Sequence, residues 1–159
     1  MNKKLVAIVA SVLFIAAAAS ASAQNTDTKI VGFESSIVYG YDVSAQSMGS
    51  ANSYGINLTL TNSLVAGFLF TSNSGGSLAD SFMLNLAYGL ADKVGMNLAV
   101  GNSAAVAHVG VGMYYNIFER NVQDALVSVL KLKVGYDFAP STGMDTGDVV
   151  MGLGLVLGM

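Results

Sequence analysis

Residues 149–159 read Val-Val-Met-Gly-Leu-Gly-Leu-Val-Leu-Gly-Met, so that Val149, Met151, Leu153, Leu155, Leu157 and Met159 alternate with Val150, Gly152, Gly154, Val156 and Gly158. Side chains on a strand point to opposite faces with a period of two. This stretch therefore has one face of large apolar groups and one that is nearly bare. The same division runs through the chain: thirteen of its eighteen glycines fall in such segments, each on the face opposite the large apolar side chains. A chain patterned in this way meets two different surroundings.

Working outward from that ending, eight alternating segments are predicted. The first runs from Lys29 to Val43, with Val31, Phe33, Ile37, Tyr39, Tyr41 and Val43 against Gly32, Glu34, Ser36, Gly40 and Asp42. The second sets Tyr54, Ile56, Leu58 and Leu60 against Gly55, Asn57, Thr59 and Thr61, and the third sets Ala66, Phe68 and Phe70 against Val65, Gly67 and Leu69. The fourth opposes Phe82, Leu84, Leu86, Tyr88 and Leu90 to Met83, Asn85, Ala87 and Gly89, and the fifth opposes Val94, Met96, Leu98 and Val100 to Gly95, Asn97, Ala99 and Gly101. In the sixth, Val109, Val111, Met113, Tyr115 and Ile117 face away from His108, Gly110, Gly112, Tyr114 and Asn116. In the seventh, Leu130, Leu132, Val134, Tyr136 and Phe138 face away from Lys131, Lys133, Gly135 and Asp137, and the eighth is the ending quoted above.

Composition decides which surroundings are meant. The 159 residues are 53% apolar and 11% charged, yet beyond the first twenty-odd residues no apolar run has the roughly 18 residues of a membrane helix. Lys3 and Lys4, the apolar run Leu5 to Ala19 and the small residues Ala21-Ser22-Ala23 form a secretory signal peptide over 1–23, leaving a single domain over 24–159. Without Lys3 and Lys4 the chain keeps five of its seven basic residues against ten acidic ones, which excludes a basic grip on nucleic acid. There is no cysteine and one histidine, so neither a disulfide scaffold nor a metal site is expected, and no cofactor.

The glycine-rich face suits the crowded inside of a narrow barrel. The large apolar face, which carries no charge, then meets lipid, and closure leaves no unpaired edge in hydrocarbon. Tight turns are expected at Thr61-Asn62-Ser63 and Ala91-Asp92-Lys93, with a longer one at Glu119 to Ala125. At the other end, loops are expected at Ser44 to Ser53, Ser72 to Ser81, near Asn102 and at Ala139 to Gly147, where Pro140 removes no ladder bond. Tyr39, Tyr41, Tyr54, Phe70, Phe82, Tyr136 and Phe138 would form half of an aromatic girdle beside those loops.

With this pattern the chain resembles the small eight-stranded outer-membrane β-barrels of the OmpA membrane-domain, OmpX and OmpW-like kind. Leu153, Leu155, Leu157 and Met159 resemble the family's C-terminal insertion signal, with Met159 where the family usually ends in Phe. The resemblance implies a Gram-negative-type outer membrane, surrounding lipid as partner, and insertion by the barrel assembly machinery.

Chemistry has to be sought on the inner face, where a polar network of Glu34, Asp42, His108, Lys131, Lys133 and Asp137 is expected. Buried charges are costly unless paired, so Glu34 should pair with the lysines; the same charges could also form the constriction of a conduit. Strand register from the 119–125 hairpin places His108 beside Asp137. Such a pair could orient Ser103 or Ser141 as in an acyl-transfer enzyme, although no serine motif accompanies it and a histidine bonded to a lumen carboxylate is adequately explained as structure. The expected function is a non-enzymatic outer-membrane barrel with a structural or surface-interaction role. A narrow conduit for small or hydrophobic solutes is the alternative, and a lipid-modifying enzyme the next.

Overall fold

The computed structural model describes residues 31–61, 63–76, 78–122, 126–141 and 147–158. The expected export segment and Met159 lie outside them. Eight strands follow one another: β1 (Val31–Asp42), β2 (Ser47–Thr59), β3 (Leu64–Gly75), β4 (Ser81–Gly89), β5 (Val94–Ser103), β6 (Val106–Val122), β7 (Leu126–Phe138) and β8 (Asp148–Gly158). Each pairs antiparallel with the next, and β8 pairs with β1, so the sheet closes into an up-and-down barrel.

The register fixes the barrel's shape. Stepping from Gly32 to its partner on each following strand leads through Asn57, Gly67, Asn85, Ala99, Gly110, Asp137 and Asp148, and returns to β1 at Asp42, ten residues beyond the start. With ~3.3 Å per residue and ~4.8 Å between strands, that stagger over eight strands tilts them by about 40° from the axis. Rows of register partners therefore climb as they go round.

Side chains divide between the faces as the alternation requires. Ile37, Met96 and Leu153 point outward and are 52%, 50% and 49% exposed. Glu34, Ser36, Ser53, Asn57 and Asn85 point inward and are buried. Leu86 and Val100, also outward by alternation, are covered by the neighbouring Leu64, Ala66, Leu84 and Leu98. Bare positions on the inner face are needed for backbone approach. A Cβ on Gly101 would fall on the Phe82 carbonyl and come within 2.7 Å of Met83 Cα, whereas one on Gly110 would make ordinary contacts, with Ala99 Cβ at 3.5 Å and the Tyr136 carbonyl at 4.0 Å.

Strands extend further into the expected loops than alternation indicates. β2 begins at Ser47 and β3 runs to Gly75, leaving a turn at 43–46 in place of the loop at 44–53 and strand over the first part of the loop expected at 72–81. Ser, Gly and Asn carry little apolar signal, but their backbones still complete the ladder, with a register shift at Ser50/Ala51. Similarly β6 continues through Glu119 to Val122, where it pairs with Leu126, so most of the turn expected over 119–125 is strand. At 43–46, the Asp42 carboxylate accepts the N–H groups of Ser44 and Ala45 and the Ser44 hydroxyl, all at 2.8 Å.

β5 and β6 are joined by two residues only, Ala104 and Ala105, with φ of 47° and 65°. Two left-handed residues suit a type I′ hairpin, for which Asn-Gly is the favoured pair and Ala-Ala a strained one. Replacing Ala104→Asn together with Ala105→Gly is expected to raise stability by about 1–2 kcal/mol, read as a higher urea midpoint. Gly101→Ala should lower the midpoint by about 1–3 kcal/mol of stability, while Gly110→Ala stays within about 0.5 kcal/mol of the parent.

Candidate functional site

A polar layer built on β1, β2, β4, β5 and β7 crosses the centre of the lumen. The Lys133 ammonium is paired with Glu34 Oε1, and Glu34 Oε2 accepts from Asn57 Nδ2 at 3.0 Å. The Glu34 side chain is 2% exposed and that of Lys133 21%, so the carboxylate is the group that depends on the pair. Asn97 Nδ2 reaches Asn85 Oδ1 at 3.5 Å on the opposite wall.

How Lys133 reaches Glu34 follows from β8, which lies between their strands. Register sets Lys133 opposite Gly152 and Lys131 opposite Gly154. With hydrogen in place of side chains at both positions, the lysine can cross β8 over bare backbone. Gly154 is also tightly placed, since a Cβ there would come 2.7 Å from Ser36 Cβ.

Lys131 takes a different direction. Its ammonium lies 4.7 Å from the centre of the Tyr114 ring, a cation–π geometry, and Tyr114 in turn lies over Gly95, where a Cβ would strike the ring. Two spaces result. Lys133 borders an outer-half cavity of about 150 Å³ that also touches Ser36, Ser103 and Asp137. Lys131, Tyr114, Asn116 and Glu119 border an inner vestibule of about 900 Å³.

His108 Nδ1 lies 3.2 Å from Asp137 Oδ1. The register differs from that expected: Asp137 is opposite Gly110, because strand pairing runs on until Val122 lies opposite Leu126, and the register shift at Asn116/Phe118 takes back only one position of the difference. The diagonal geometry nevertheless joins the two side chains. Asp42 stands apart from this network, since its carboxylate is taken by the 43–46 turn; Asp148, absent from the expected set, is the register partner of both Asp42 and Asp137. Alternation places Asp148 inward, but no apolar pattern marks the start of β8 there.

Of the expected girdle, Tyr39, Tyr41 and Phe82 are outward and exposed near the outer strand ends, and Tyr136 and Phe138 stack at 6.0 Å. Tyr54 and Phe70 lie in the middle of β2 and β3, because those strands are longer than expected. Leu153, Leu155 and Leu157 point outward along β8. Among the described residues, no group of three His, Cys, Asp or Glu side chains is arranged to hold a metal ion.

Lys133→Met would strand a buried carboxylate and is expected to cost about 3–5 kcal/mol, whereas Glu34→Gln combined with Lys133→Met should recover most of that loss. Urea unfolding of the two variants, followed by the electrophoretic mobility of the folded barrel, checks the difference. A double variant as unstable as the single one would show that the pair is not what the layer depends on.

No protein-family model matches the chain, and no curated protein does. Among solved structures, the chain is similar to a transmembrane β-barrel from de novo design, at 15% identity over 80% of this chain and 95% of that one, with a TM-score of 0.46. It is also similar to the de novo designed TMB2.3, solved by solution NMR, at 14% identity over 82% of this chain and 96% of that one, with a TM-score of 0.47.

Proposed function

We propose that the protein is an integral outer-membrane barrel with a structural role, exported by its N-terminal segment and closed to solutes at rest. The observation that carries this is the outer surface. Ile37, Ile56, Phe68, Met96, Met113 and Leu153 stand on six different strands, each half exposed, while Glu34, Lys131, Lys133, Asp137 and Asp148 alternate to the inner face. A soluble monomer rarely exposes contiguous apolar patches above a few hundred Å²; in lipid the same surface is at no cost. Turns of four residues at 43–46 and two at 104–105 offer little area to an external partner, which favours the structural role over surface recognition.

A narrow conduit is the second reading. It is favoured by the two spaces that face one another across Glu34 and Lys133. The enzyme reading has less support: His108 bonds Asp137, but no serine hydroxyl bonds the ring among the described residues.

Ile37→Arg is expected to cost about 2–4 kcal/mol when the protein is refolded in a bilayer, as arginine does near the midplane on a lipid-facing strand. An unchanged stability would sink the membrane reading. In planar bilayers the parent protein should give no conductance steps. Discrete steps whose size changes in Lys133→Ala would replace the structural role by the conduit.

A further inference from the structure

We infer that the outer half of the lumen is a binding site for a small neutral polyol. Five inward hydroxyls form an unbroken row of register partners: Ser36 opposite Ser53, Ser53 opposite Thr71, Thr71 opposite Ser81, and Ser81 opposite Ser103. Because rows climb around the barrel, this one rises from mid-depth on β1 to the outer end of β5. All five side chains border the 150 Å³ cavity.

The row is short of partners. Thr71 donates to Ser53 at 3.2 Å, but Ser36 and Ser103, 5% and 9% exposed, make no side-chain hydrogen bond among the described residues. Hydroxyls that border one cavity without a protein partner are free to bond an occupant that carries oxygens. The spacing selects its form. Neighbouring strands are ~4.8 Å apart, less than twice an O–H···O distance of ~2.8 Å, so one oxygen placed between adjacent hydroxyls can bond both. Oxygens on alternate carbons of a short polyol repeat at a similar interval.

Charge and size narrow the class. Asp137 and Asp148 border the cavity and repel anions, and the Lys133 ammonium at its floor is already paired with Glu34, so it is not free to hold one. Leu69, Leu78 and Met83 supply apolar surface for a carbon chain. Leu78 closes the outer side by seating on Gly40, where a Cβ would strike it. Its loop is held by Asp80, which accepts the Asn73 N–H at 2.8 Å through its side chain and the Ala104 N–H at 3.2 Å through its carbonyl. A cavity of this volume accommodates a molecule of about six heavy atoms, as an engineered one of like size accommodates benzene; glycerol has that size with three hydroxyls. The site needs only the closed barrel, and so stands or falls separately from the membrane role.

Glycerol titration of the full chain, refolded in detergent micelles with carbon-13 methyl groups on Leu and Met, tests the site. Saturable shifts are expected at Leu78 and Met83 but not at the outward Leu153, with binding weakened about tenfold or more in Ser36→Ala combined with Ser103→Ala. Unperturbed methyl spectra of that double variant at positions outside the cavity establish that it is folded. Linear shifts, equal in parent and variant, would mean that the cavity holds water only. Saturation by 1-propanol with the affinity of glycerol would make the site an apolar pocket, and either result overturns the assignment.

Discussion

The pairing of β8 with β1 is the constraint on which the rest depends. An eight-stranded sheet left open would present two rows of unpaired amide groups, and in the bilayer proposed above each such group would cost several kcal/mol. Closure also sets the dimensions. The return to β1 ten residues further on imposes tilt, and tilt with eight strands leaves an interior just wide enough for side chains to fill. In that space the choice of inner residue is a choice about neighbours. Gly101 allows backbone to approach from β4, Gly95 makes room for the Tyr114 ring, and Gly40 receives Leu78. Glycine here is a packing residue whose partner supplies the volume.

That geometry explains why a charge pair can stand at the centre of the lumen. A carboxylate as buried as Glu34 needs compensation from groups that reach it without distortion. The ammonium of Lys133 arrives across β8, and the Asn57 amide arrives from β2 on the other side. Both rely on missing side chains: Gly152 is opposite Lys133, and Gly67 lies against Asn57, where a Cβ would strike Oδ1. Replacing such a pair by apolar groups of like shape is often neutral or stabilising, whereas removing one partner is strongly destabilising. The layer therefore sets which contacts are permitted at mid-depth more than it adds net stability. Asn57 Oδ1 is buried with no protein partner, a cost that marks this layer as polar by selection of position and not by spare packing.

Eight strands and the facing of their residues were legible in the sequence because the signal is a comparison of neighbours: Leu153 against Gly152 and Gly154, Met96 against Gly95 and Asn97. Strand ends were not, because the outer part of β2 is Ser-Met-Gly-Ser-Ala-Asn-Ser, where alternation has no contrast to show while backbone pairing continues. Register was the second gap. Counting back from the 119–125 hairpin placed Asp137 opposite His108, two positions from the Gly110 that it faces. A shift at a bulge leaves no trace in composition. The Glu34 and Lys133 pair does not depend on that register, since it is made across β8; the hydroxyl row could not be found, since five residues on five strands meet only once every register is known.

The two halves of the lumen consequently differ in kind. Below the central layer, Lys131, Glu119, Tyr114 and Asn116 border a wide vestibule, in which water screens charges and a lysine can rest on an aromatic ring. Above it, hydroxyls, glycines and a leucine cap enclose a much smaller volume. Chain climb produces this asymmetry. A row that begins at mid-depth on β1 reaches the rim by β5, so one run of serine and threonine in the register covers the height of the outer half on more than half of its wall. On the opposing wall, Gly110, Gly135 and Gly152 alternate with Lys133, Asp137, Asp148 and Val150. A row of hydroxyls facing a wall interrupted by glycines leaves space between them, whereas the same hydroxyls facing leucines would have been packed. The cavity is thus a product of register as much as of residue type: moving β2 by two positions against β1 would set Ser53 opposite Glu34 or Val38 and break the row at its first step.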